Sequence, residues 1–216
     1  NIQYHSAAGM LPYGIQAKVA YSPGDSREAN GNGGTGVGNS ADGINSVKSY
    51  QLTAAPIDGL TVGASYLEKD HNINTVQKYE TGGVFATYAY GPVSIGYGEN
   101  RTAPNSSSFG TVATTTVATE ANTKRFDNQL ISLGFAVNEN LSVSYDVEKS
   151  EAAKFTNLET AASDTKNAVE LQIKSLQAAY NIGGATIAIT MEDIENDGYV
   201  LSKNNKETII SLAMAF

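Results

Sequence analysis

Residues 207–216 read ETIISLAMAF, and their side chains alternate strictly. Ile210, Leu212, Met214 and Phe216 fall on one side, and Ser211, Ala213 and Ala215 on the other. Successive side chains of a strand point to opposite faces, so a period of two describes a strand lying between an apolar and a polar environment. An edge strand of a soluble sheet would give the same period. A free aromatic C-terminus on the apolar row is the rarer feature.

The alternation recurs upstream. Residues 141–148 (LSVSYDVE) set Leu141, Val143, Tyr145 and Val147 against Ser142, Ser144, Asp146 and Glu148. Residues 14–21, 60–66, 93–98 and 185–192 repeat the pattern, and one face is always wet. Residues 168–182 change phase: Val169, Leu171 and Ile173 are odd, whereas Leu176, Ala178, Tyr180 and Ile182 are even. A one-residue shift flips every side chain, so the change predicts a β-bulge at 174–176. In 79–90, Val84, Ala86, Tyr88 and Tyr90 make one face and leave Phe85 on the other.

Short turns at 56–59, 91–92, 138–140 and 183–184 carry Gly, Pro, Asn or Asp, the residues that supply turn geometry. Between them fall longer polar connections at 22–45, 70–75, 102–123, 150–166 and 196–205. A soluble sandwich has crossovers at both ends and shows no such parity. Transmembrane barrels put short turns at one rim and long loops at the other. The glycines of 22–45 are not followed by GKS or GKT and no helix opens there, which favours a solvated loop over a phosphate-binding one.

Composition bounds the rest. The chain has 216 residues, 41% of them hydrophobic, and no cysteine, so neither a disulfide nor a thiolate metal site can form. Net charge is −8 with scattered Lys and Arg, which argues against nucleic acid. No run approaches the ~20 apolar residues of a membrane helix, but strands that alternate lipid-facing and lumen-facing residues cross a bilayer without one.

On its terminal segment, turn parity and repeated strand units, the chain resembles the sixteen-stranded, trimeric general porins of Gram-negative outer membranes. The resemblance implies an all-β fold, a transmembrane antiparallel up-and-down barrel of which about eleven strands are present. It also implies a water-filled channel for small hydrophilic solutes, with no reaction and no cofactor. Ile210, Leu212, Met214 and Phe216 would then be the signal read by the barrel-assembly machinery. Bacterial barrels have an even strand count, so eleven strands suggest that five strands and the inward constriction loop precede Asn1. The alternative reading is an adhesin or anchor acting through its long loops. An autotransporter barrel would need a helix through it, and none is visible.

Alternation assigns Lys18, Asp146, Glu148, Glu170, Lys174, Glu192 and His5 to the lumen, a mostly acidic set that predicts cation preference. Tyr21, Tyr50, Tyr66, Tyr88, Tyr90, Tyr180 and Phe216 fall on the outer face, where amphipathic rings collect at membrane interfaces. Tyr97 and Tyr145 share that face but come too early in their strands to reach the far side of a ~25 Å band, and would pack against a neighbouring subunit. Lys48, Glu68, Glu99 and Arg101 lie just beyond these rings, within reach of lipopolysaccharide headgroups. The acidic run Glu192, Asp193, Glu195 and Asp197 lacks DxDxDG spacing, so no metal site is expected. His5 and Ser6 are adjacent on a strand and face opposite ways, and His71 lies beside Asp70 in the polar connection 70–75, so neither gives a nucleophile and base pair by itself.

Overall fold

Among the described residues, eleven strands hydrogen-bond in sequence order into one antiparallel meander: β1 (Ile2–His5), β2 (Gln16–Pro23), β3 (Ile44–Ile57), β4 (Leu60–His71), β5 (Tyr79–Tyr90), β6 (Val93–Ala103), β7 (Thr123–Ala136), β8 (Leu141–Lys154), β9 (Val169–Ile182), β10 (Ala185–Glu195) and β11 (Asn205–Met214). The structure, a computed structural model, describes residues 1–7, 9–23, 44–71, 77–104, 123–154 and 169–214. Phe216 lies outside the described residues, as do most of the long connections.

The short turns are where the sequence places them. Gly59 holds φ +77°, and a β-carbon there would collide with the Ala89 carbonyl of the next hairpin, so only glycine fits. At 138–140 the Asn138 side-chain carbonyl accepts the backbone N–H groups of Asn140 and Leu141 at 2.9 Å each, a local bond that fixes the turn without glycine.

Register carries one strand's facing to the next, because residues paired across an antiparallel ladder share a face. From Ile210 the chain of partners runs through Ile189, Ala178 and Val143 to Phe135 and Val93, then through Tyr90 on β5. This first face carries Ile187, Met191, Tyr180, Leu141, Tyr145, Leu133, Ile95, Tyr88, Leu60, Tyr66, Tyr50, Val19 and Tyr21. The second face carries Ser, Thr, Asn, Gly and the carboxylates of Asp146, Glu148 and Glu192. Phe85 is on this second face, opposite Gly63 and Gly98.

Two expectations fail together. Pairing of β9 runs without a break from 169 to 180 with β8 and from 172 to 182 with β10, so there is no bulge at 174–176. Lys174 pairs with Val147 and Asp193, and Glu170 with Glu151. Both therefore lie on the Ile210 face, not beside Asp146 and Glu192. The phase change arises because β9 is apolar on opposite faces at different heights, not because the backbone shifts. Register irregularities occur elsewhere, at 44–46 and 54–57 between β3 and β4 and at 123–125 between β7 and β8.

Among the described residues, Ala152, Ala153 and Ile194 are the only hydrophobic residues that are buried. Ile210 is 73% exposed and Leu212 60%. At ~25 cal/mol per Å² of apolar surface, a whole sheet face in this state needs a second apolar phase against it. No layer of the described chain supplies one.

Candidate functional site

The second face holds the chemistry. Asp146 pairs with Ser175, Ser175 with Glu192, and Glu192 with Glu207, so three carboxylates and a serine form one row across β8 to β11. Glu148 stands one step beyond, between Leu130 and Ile173. Ser144 Oγ donates to Asp146 at 3.3 Å, Ser175 Oγ to Glu192 at 3.5 Å and Asn205 Nδ2 to Glu207 at 3.0 Å. These donors are neutral. Among the described residues no Lys or Arg lies within ion-pair distance of any of the four carboxylates.

Five carboxylates on the first face do have cationic partners. Lys48 meets Glu68 at 3.1 Å, Arg125 meets Asp127 at 2.8 Å with Arg101 bonded to the same carboxylate, Lys149 meets Glu170 at 3.3 Å, Lys174 meets Glu195 at 2.8 Å and Lys206 meets Asp193 at 3.3 Å. Each pair bridges neighbouring strands or lies along one, just beyond the apolar residues and on the side of the long connections. Lys78, outside the strands, donates to Asp70 at 2.8 Å, and that bond raises its pKa above the ordinary lysine value. Above an apolar band, the first face thus carries ion pairs together with Glu80, Glu99 and Glu151, which are unpaired among the described residues. The second face carries carboxylates bonded only to neutral donors.

Of the residues singled out by sequence, Lys18, His5, Asp146, Glu148 and Glu192 share the second face, with His5 paired to Lys18 on β1 and β2. Tyr21, Tyr50, Tyr66, Tyr88, Tyr90 and Tyr180 share the first, and the Tyr50 and Tyr66 rings stack at 6.4 Å. Glu207 was missed, although the odd phase opposite Ile210 and Leu212 was enough to find it. Lys69 was also missed; it lies on the second face with its ammonium 4.8 Å from the centroid of the Tyr79 ring. Among the described residues no cluster of His, Cys, Asp and Glu is placed to hold a metal ion.

The long connection between β10 and β11 is described and does not stand away from the sheet. Its 3-10 turn, Asp197–Tyr199, packs against β9, and Asn196 Nδ2 donates to the Glu170 carbonyl at 2.7 Å. Tyr199 reaches further, to 2.6 Å from Ser150 Oγ on β8 and 5.5 Å between ring centroids from Phe126 on β7.

An antiparallel meander with one apolar and one polar face, in which the turns joining β3 to β4, β5 to β6, β7 to β8 and β9 to β10 are short and the connections at the opposite rim are longer, matches the architecture of a porin-type β-barrel wall. Solved structures agree. The chain is similar to the outer membrane channel DcaP of Acinetobacter baumannii at 14% identity and TM-score 0.62, with 97% of this chain and 60% of that one covered. It is similar to a porin refined at 1.8 Å resolution at 14% identity and TM-score 0.62, covering 99% and 60%. It is also similar to Salmonella typhi OmpF in complex with daunomycin, at 13% identity and TM-score 0.66, covering 98% and 61%. At this identity the likeness establishes the fold. The chain spans about 60% of the length of these porins. No family model and no curated protein sequence matches it.

Proposed function

We propose that the chain is the greater part of an outer-membrane porin that passes small hydrophilic solutes and prefers cations. The observation that carries this reading is the contrast between the two faces. The first face is an apolar row with ion pairs such as Lys48–Glu68 and Lys174–Glu195 beyond it, which suits a surface meeting lipid and lipopolysaccharide headgroups. Asp146, Glu148, Glu192 and Glu207 have no cationic partner among the described residues, which suits a wall facing water. Fixed charge of one sign in a confined aqueous passage raises the local concentration of the opposite mobile ion.

In this reading Lys18 and His5 belong to the same wall at a distance of several strands, and assembly is a homotrimer, as the family resemblance implies. Insertion would proceed through the barrel-assembly machinery reading the terminal strand. The test is planar-bilayer recording of the protein that carries this chain. Stepwise openings in threes, with a reversal potential on the cation side under a KCl gradient, support the proposal. A silent bilayer would contradict channel function and favour an anchor or adhesin, and an anion-side reversal would contradict the selectivity.

A further inference from the structure

The second face is polar through most of its height but becomes apolar near the long connections. Leu171 and Ile173 on β9, Ile194 on β10, Ala152 on β8 and Phe126 on β7 all point to that side by register. None of them is exposed. The segment 196–204 sits over this region. Adjacent strands are ~4.8 Å apart, so a turn rooted between β10 and β11 that touches β7 crosses on the order of 15 Å of wall.

The segment is also built to hold one shape. Asn196, Gly198, Tyr199 and Ser202 all have positive φ, Tyr199 at +58°. A side chain in that region is disfavoured, so the conformation persists only where other contacts hold it. Those contacts are present. Asn196 Oδ1 accepts from the Ser202 backbone at 2.8 Å, Lys203 pairs with Asp197 at 2.9 Å, and the Asp197 N–H reaches the Lys203 carbonyl at 2.6 Å. At its tip, Tyr199 Oη bonds Ser150, which in turn bonds Asn128, and Asn128 Nδ2 donates to Asn100 at 2.6 Å. Ser150 is only 4% exposed.

We propose that 196–204 is a fixed inward strap that narrows the aqueous passage near its outer mouth, with Tyr199 as its anchor and as a size-determining residue. This rests on the channel reading above. The strap fills cross-section that the sheet alone would leave to water. It also ends a line of neutral hydrogen-bonding groups, Asn100, Asn128, Ser150 and Tyr199, in which the buried Ser150 ties the strap to the wall.

Two measurements test it. In bilayers, Tyr199→Ala and a variant in which 197–203 is replaced by Asn-Gly should each raise single-channel conductance, by roughly a quarter or more, and admit larger neutral sugars in liposome swelling. Unchanged conductance and size limit in both would overturn the proposal. Independently of conduction, the chain has no cysteine, so Ser150→Cys provides a single thiol under the strap. It should react with a charged methanethiosulfonate about tenfold faster once Tyr199→Ala is added. Equal rates would overturn docking of the strap. A silent bilayer with a protected thiol would defeat the channel reading and leave the docked strap intact.

Discussion

Glu192 and Glu207 stand directly opposite each other on β10 and β11, on the face that carries Asp146, and no Lys or Arg among the described residues pairs with either. Like charges opposite one another on a sheet are destabilising. A pair kept in this state works against stability and for the field it creates.

Glu207→Gln should therefore stabilise the barrel by about 0.2–1 kcal/mol while reducing cation preference. Urea unfolding from lipid vesicles measures the first, and reversal potential the second. With Asp146→Asn and Glu192→Gln added, the cation-to-anion permeability ratio should fall by about twofold or more. Gain of stability without loss of selectivity would place the row away from the conducting path.

The opposite sign is expected on the first face. Asp127 is shared by Arg101 and Arg125, so Asp127→Asn leaves two guanidinium groups without their common carboxylate. Networks of partly exposed charges contribute modestly, and a loss of about 1 kcal/mol is expected. Ion selectivity should not change. A shift in reversal potential would mean that the first face meets the passage.

Much of this organisation was legible in the sequence. The unit 141–148 shows both faces of β8 because its first-face row is apolar and its second-face row polar. Beyond 148 the strand continues to Lys154, but Lys149 and Glu151 replace apolar residues on the first-face row, and the contrast that marks a strand disappears. The misplacement of Glu170 and Lys174 has a related cause. Leu171 and Ile173 are apolar on the second face, on the strand against which the Asp197–Tyr199 turn packs, so apolar character there does not mark the first face. Tyr199 was illegible as a contact, since its partners Phe126 and Ser150 are distant in sequence. The one signal was that unexplained apolar phase on β9.

Turn chemistry gives a further expectation. Gly59 combines φ +77° with no room for a β-carbon against Ala89. Gly59→Ala should cost about 1–2 kcal/mol from the left-handed conformation alone, with more from the collision. Gly91, at φ +55° with open space around it, should tolerate alanine better. Comparing folding yields in vesicles orders the two, and equal losses would remove the steric argument.

Charge placed on adjacent residues of β11 separates the faces energetically. Leu212→Arg puts a guanidinium on the apolar row and should cost about 2–4 kcal/mol if it lies near the bilayer midplane. Ser211→Arg puts the same group one residue away on the polar face, and should fold normally while lowering cation preference. Equal penalties in vesicle unfolding would deny the difference.

The central claim is that alternate residues of each strand meet lipid and water, and the chain, which has neither Trp nor Cys, allows it to be read directly. Single tryptophans placed in turn at 187, 188, 189, 190 and 191 of β10 can be reconstituted in bilayers whose acyl chains are brominated. The account predicts strong fluorescence quenching at 187, 189 and 191 and little at 188 and 190. Uniform quenching, no quenching, or the reverse phase would contradict it.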